Sequence, residues 1–122
     1  MSLVVSDAVS KVLGLALDGV TTRQQVIANN IANVDTPDFR ATSVDFETSL
    51  RQAVEGGEME DPNASAPAIE SSLSTTPVGA NGNNVDLRKE TLAAVQSQYQ
   101  YQILTRAVND RFTLMREAIG GQ

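Results

Sequence analysis

The chain has no cysteine, no histidine and no tryptophan. Without cysteine there is no disulfide and no thiolate nucleophile; without histidine there is neither an imidazole base nor the commonest ligand of zinc. Chemistry, if any, falls mainly to carboxylates. The lack of cysteine suits either redox compartment. Aromatic residues make up only 4% of the chain, so the large rings that anchor a compact core are missing and an elongated molecule is expected. Basic residues are also short, 9 against 15 acidic ones, for a net charge of −6. That is the wrong sign for a phosphate-backbone binder and excludes nucleic acid as a partner. Long hydrophobic runs are absent too: the opening MSLVVSDAVSKVLGLALDGV is broken by Ser6, Asp7, Ser10, Lys11 and Asp18. It reads as neither a signal peptide nor a membrane span, so no direct membrane insertion is expected.

What is there is distributed unevenly over 122 residues, a length that allows one domain or something less than a self-sufficient one. Residues 1–40 and 85–122 are nearly neutral, whereas in residues 41–84 Asp45, Glu47, Glu55, Glu58, Glu60, Asp61 and Glu70 face only Arg51. From Gly56 to Asn84 the text is rich in Gly, Pro, Ser, Asn and acid, with Met59, Ile69, Leu73 and Val78 as its sizeable apolar residues. Such a stretch buries too little to offset its ordering entropy and reads as a largely flexible linker. The division is therefore an N-terminal helix and turn (1–40), an acidic flexible middle (41–84) and a C-terminal helix (85–122).

The two ends are helical in pattern. Leu13, Leu17, Val20, Gln24, Ile27, Ile31 and Val34 recur at alternating spacings of 4 and 3, a seam broken only by Gln24. Pro37 disfavours helix at Thr36, so the first helix should stop near Asp35, with a turn over Asp35-Thr36-Pro37-Asp38. Near the other end Tyr101, Leu104, Val108, Phe112, Met115 and Ile119 repeat at 3 and 4, with Leu87, Ala94 and Ser97 continuing the face more weakly. Asp86 is placed as an N-cap, and Gly120 and Gly121 close the helix. The expected fold is all-α, an elongated coiled-coil-like hairpin of the two terminal helices.

A pair of helices buries one seam and leaves its outer faces bare. Each buried seam residue contributes roughly 1.5 to 3 kcal/mol, against roughly 1 to 2 kcal/mol of backbone entropy for every residue ordered. An isolated hairpin is then marginal, and further packing surface has to come from neighbouring subunits.

Ala28-Asn29-Asn30-Ile31-Ala32-Asn33-Val34-Asp35-Thr36-Pro37-Asp38-Phe39-Arg40-Ala41 resembles the N-terminal signature of flagellar rod and hook proteins, approximately NIAN-x-x-T-P-G-[FY]-[KR]-A. Arg23-Gln24-Gln25, Val44-Asp45-Phe46, Asn84-Val85-Asp86-Leu87, Tyr99-Gln100-Tyr101 and Arg111 through Arg116 look like the same family. The similarity covers roughly residues 15–50 and 80–120. On this resemblance Asn29, Asn30, Ile31, Asn33, Thr36, Pro37 and Phe39 form the rod signature, and the asparagines either cap the helix end or reach a neighbouring subunit. Asp38 departs from the family's glycine.

The resemblance implies a structural subunit of the proximal basal-body rod, whose terminal helices form the inner layer of a hollow axial structure in the periplasm. It implies export through the flagellar type III apparatus without a cleaved signal. The implied partners are other rod proteins, copies of the chain itself and the inner-membrane ring and export-gate region. Phe46 and Leu50, one helical turn apart, match the element taken in such substrates as an export-gate motif. No cofactor, metal or catalytic residue is expected: neither an EF-hand layout nor a pocketed carboxylate pair is present. Another rod or hook component is an alternative within the class. The alternative from another class is a soluble helical-hairpin adaptor or export chaperone that binds partner helices.

Overall fold

The computed structural model describes residues 3–120, with side-chain environments from Asp7 onward. Gly121, expected to close the last helix, lies outside the described residues. Five elements follow one another: α1 (Leu3–Ala32), β1 (Thr42–Val44), α2 (Glu47–Glu55), β2 (Ser71–Leu73) and α3 (Leu87–Gly120).

α1 has 30 residues and α3 has 34, lengths of about 45 and 51 Å at the usual rise. α1 ends where local signals say it should. The Asn33 amide donates back to the carbonyls of Asn29 and Asn30 (both 3.2 Å), and the Thr36 amide to Asn33 (3.0 Å), tightening the last turn before Pro37. α3 starts on Asp86, whose Oδ1 accepts the Lys89 amide at 3.2 Å.

The long helices run antiparallel. Asn83 bonds Asn33 next to the connecting turns, Arg23 meets Gln100, and Leu13 and Leu17 face Phe112 and Met115 near the free ends. The middle of the chain is not a bare connector. β1 and β2 pair antiparallel, with Thr42 opposite Leu73 and Val44 opposite Ser71, and α2 lies against α1. The fold is therefore mostly helical with a small two-stranded sheet, and the all-α expectation is corrected. A short strand near residues 69–73 is compatible with the sequence but unsupported by it, and β1, reading Thr-Ser-Val, carries too little alternation to be recognised in advance.

Both core clusters join α1 to the middle segment. One holds Ala16, Val20, Val44 and Phe46, flanked by Val26, Leu50, Ile69 and Leu104. The other holds Ala8, Ala53 and Met59, flanked by Val12 and Leu15. Of α3, only Leu104 joins either cluster.

Burial along the expected seam is uneven. Val20 and Ile27 are buried, and Leu13, Leu17, Ile31, Leu104 and Val108 are half-buried, but Tyr101, Phe112 and Met115 stay exposed. α3 turns the expected face toward α1: Ala94 is half-buried and Ser97 buried at the clamped end, where small side chains let the helices approach closely beside Ile27 and Ile31. Further along the same face Leu104 and Val108 are half-buried, and toward the free ends Phe112 and Met115 line an open cleft with Leu13 and Leu17. The expectation that α1 waits for neighbouring subunits to cover its stripe is likewise corrected: its own β1, α2 and α3 cover Val20 and Ile27.

Candidate functional site

The signature turn is clamped by amides. Asn30 is completely buried, donates through Nδ2 to the Thr42 carbonyl at 2.8 Å and accepts the Thr42 amide at 3.2 Å, fixing the start of β1 to the end of α1. Asn83 donates through Nδ2 to the carbonyls of Asn33 and Thr36, both at 2.8 Å, and its Oδ1 accepts the Val85 amide at 2.7 Å. Asn84 accepts the Ala41 amide at 2.6 Å and donates to the Thr76 carbonyl at 3.2 Å. Buried amides with both ends satisfied lock a backbone that carries no regular structure of its own.

Asn33 and Thr36 complete the turn, the Thr36 hydroxyl donating to Asn33 Oδ1 at 3.0 Å. Asp38 adopts φ 61°, the left-handed conformation a glycine takes freely. Its amide donates to the Asn81 carbonyl at 3.0 Å, and a Cβ added at Gly82, itself at φ 79°, would collide with Asp38. Phe39 is half-buried, Ile31 half-buried, and Asn29 and Pro37 exposed. Of the signature asparagines, Asn30 is spent entirely inside the chain, while Asn29 lies open.

A second constellation surrounds Phe46. Its ring is buried and packs against Gly19, where a Cβ would overlap the ring. The Arg23 guanidinium stands over it, 4.7 Å from the ring centroid. Arg23 also donates from Nη2 and Nε to the Val44 carbonyl (2.8 and 3.2 Å) and from Nη1 to Gln100 Oε1 (3.0 Å), and it pairs with Glu47. One side chain thus ties together α1, β1, α2 and α3. Leu50 is half-buried against the same cluster, and its amide donates to the Phe46 carbonyl at 2.9 Å. Ahead of α2, Asp45 accepts the Thr48 hydroxyl at 2.9 Å and the Thr48 amide at 3.2 Å. The Thr48 side chain first, then its amide, holds the Asp45 carboxyl below the usual aspartate range.

The third feature is the outward side of α3. Leu92 (60% exposed), Tyr99 (63%), Ile103 (67%) and Leu114 (61%) stand in solvent, and Phe112 and Ile119 are exposed as well. Among the described residues no three His, Cys, Asp or Glu side chains gather as a metal would need, and no helix is long and apolar enough to cross a membrane.

An exposed apolar helix face on a clamped hairpin is an assembly surface in form. Residues 16–40 match the family described as flagella basal body rod protein. The flagellar basal body rod protein FlgB of Bacillus subtilis is 33% identical over 114 residues, spanning 87% of this chain and 88% of that protein. The chain belongs to the FlgB family. FlgB of Borreliella burgdorferi is 33% identical over 107 residues, 73% of this chain and 78% of its own, and FlgB of Escherichia coli K12 is 26% identical over 122 residues, 85% and 87%. FlgB proteins are structural components of the flagellar basal body rod, not enzymes, and this chain is one of them.

Sequence reasoning found the signature turn of this FlgB-family chain but missed its partners. Asn81 to Asn84 read as a turn, yet only the fold reveals that Asn83 and Asn84 reach back across the hairpin. Arg23 entered only as part of the family resemblance; its four-way role depends on tertiary placement that no local pattern encodes.

Proposed function

We propose that the chain is a subunit of the proximal part of the rod, exported unfolded through the flagellar type III apparatus and assembled in the periplasm with copies of itself and other rod proteins, next to the inner-membrane ring. The observation that carries this reading is the exposed stripe on α3. In the rod, Leu92, Tyr99, Ile103 and Leu114, on the outward side of α3, pack coiled-coil fashion against helices of adjoining subunits. Within the middle segment, residues 60–70, outside any helix or strand, order further when neighbours cover them. In the unfolded chain during export, Phe46 and Leu50 are read by the gate; after folding they serve the core.

The absence of cysteine makes the test direct. An Ile103→Cys variant is labelled with a maleimide before and after assembly. The thiol is expected to react readily in the free chain and to be protected in isolated basal bodies. Equal reactivity in both states overturns the assignment of this face to the rod interior.

A further inference from the structure

Of eight asparagines, only Asn81 precedes a glycine. It lies exposed in the turn between β2 and α3, beside the buried clamps Asn83 and Asn84. Its Oδ1 accepts the Asn83 amide at 3.2 Å, which draws electron density from Cγ, and its Nδ2 makes no hydrogen bond among the described residues. Gly82 follows at φ 79°, with no Cβ to crowd an approach to that carbon. One contact restrains it: the Gly82 amide donates to the Gly79 carbonyl at 3.0 Å. The other asparagines are held or crowded. Asn30, Asn83 and Asn84 are buried and donate through Nδ2 to main-chain carbonyls. Asn29 and Asn109 lie inside helices, Asn33 donates to Asn29, and Asn63 precedes Ala64, whose methyl hinders ring closure.

We propose that Asn81 is a site of self-modification by deamidation, gated by the clamp around it. The Gly82 nitrogen gives up its proton and bonds Asn81 Cγ; the Cγ–Nδ2 bond breaks, and Nδ2 leaves as ammonia with that proton. Water then opens the five-membered succinimide. Addition at Cγ leaves aspartate. Addition at the former main-chain carbonyl leaves isoaspartate, in which the chain runs on through Cβ and Cγ and is one carbon longer. Ring closure requires the Gly82 nitrogen to leave Gly79, so the closed turn resists and an opened one reacts. The two products differ in consequence. Aspartate keeps the main-chain path, including the carbonyl of residue 81 that accepts the Asp38 amide at 3.0 Å. Isoaspartate displaces Asn83 and Asn84 from Asn33, Thr36 and Ala41, the residues they bond. It also sets a new carboxylate near that of Asp38, which stands against Gly82. The clamp that holds α1 to the start of α3 is thereby unfastened. None of this depends on the subunit reading.

The test has two arms. In the first, the full chain is kept at neutral pH with and without urea and digested with trypsin at intervals. The peptide of residues 52–88 is fragmented by electron transfer, which distinguishes isoaspartate from aspartate. Residue 81 is expected to gain about one dalton ahead of Asn63, Asn83 and Asn84, mostly as isoaspartate, and roughly tenfold faster or more in urea. Asn81→Gln, whose side chain would have to close a six-membered ring, should show no gain at residue 81 even in urea, where the fold plays no part. Earlier conversion of another asparagine, no conversion of Asn81 in urea, or undiminished conversion of N81Q overturns the site. An equal rate with and without urea overturns the gating.

The second arm reads the consequence. Chains converted in urea are refolded, collected by ion exchange on their added negative charge, and compared with Asn81→Asp, which carries that charge on the original main chain. Hydrogen exchange of the Ala41 amide, which Asn84 accepts at 2.6 Å, should quicken roughly tenfold or more in the isoaspartate chain and by no more than about threefold in N81D. The melting midpoint should fall clearly only in the isoaspartate chain. Full protection of Ala41 in both means that the turn absorbs the extra carbon and overturns the unfastening. An equal loss in both assigns the effect to charge and overturns the part given to chain length.

Discussion

The ring of Phe46 occupies the space in which residue 19 would place a Cβ, so Gly19 in the middle of α1 is the slot that admits the ring. A glycine inside a helix ordinarily costs roughly 0.5 to 1 kcal/mol relative to alanine. Here the missing side chain allows the buried ring, the Arg23 guanidinium above it and the start of α2 to close on α1.

Gly19→Ala is therefore expected to lower stability by about 1 to 2 kcal/mol, overpacking outweighing the gain in helix propensity. Gly14 sits in the same helix, and an added Cβ there meets nothing within 4 Å. Gly14→Ala should raise stability by roughly 0.5 to 1 kcal/mol. Denaturant unfolding of the two variants side by side checks both signs.

Export and folding draw on the same two residues and can be separated. If the gate reads Phe46 and Leu50 in the unfolded chain, the Phe46→Ala, Leu50→Ala double variant is secreted poorly, while Gly19→Ala, which loosens the same packing from the other side, is secreted at normal levels. Secretion of the double variant at wild-type levels removes the motif assignment.

Asp38 and Gly82 face each other with positive φ. Asp38→Gly relieves the left-handed strain, roughly 1 kcal/mol, and partly returns it as chain entropy in the unfolded state. Stability should change little and assembly should persist. Gly82→Ala has no such latitude, since its Cβ would stand 3.1 Å from the Asp38 Cα. It should destabilise by about 1 to 3 kcal/mol, read as a fall in melting temperature.

Asp45 gives the chain an acid-sensitive joint. Its carboxyl is held below the ordinary aspartate value by Thr48, so its contribution to the start of α2 is complete above that value and disappears as pH falls through the lower, folded-state one. Thr48→Val should move the Asp45 titration upward in a carboxyl-carbon NMR experiment and flatten the pH dependence of the Thr48 amide. An unmoved titration would show that the hydroxyl is not the cause.

The sequence revealed what local physics decides. The seam from Leu13 to Ile31, the stop before Pro37 and the Asp86 cap all follow from helical periodicity and from signals within a few residues. What it hid is decided at a distance. Ser97, Tyr101, Phe112 and Met115 share one face of α3, yet only Ser97, at the end where the helices approach most closely, is buried, because helix separation rather than hydrophobicity decides how much of that face is covered. Met59 stands alone in an acidic Gly-Pro text, and its burial against Ala8 and Ala53 follows from the path of the chain after α2. For the signature residues, position was legible but purpose was not: the family resemblance favours an interface role for Asn30 over a cap, whereas its amide bonds Thr42 at both ends inside the chain.

The asparagine clamps all gather at one end of the hairpin. At the other, Leu13 and Leu17 line an open cleft with Phe112 and Met115. Amide hydrogens should accordingly exchange slowly around Thr42 and Asn84 and progressively faster toward Ile119, so the free molecule behaves like tweezers, pinned at the pivot with loose tips. A neighbour arriving between the tips would find them still able to adjust to its shape.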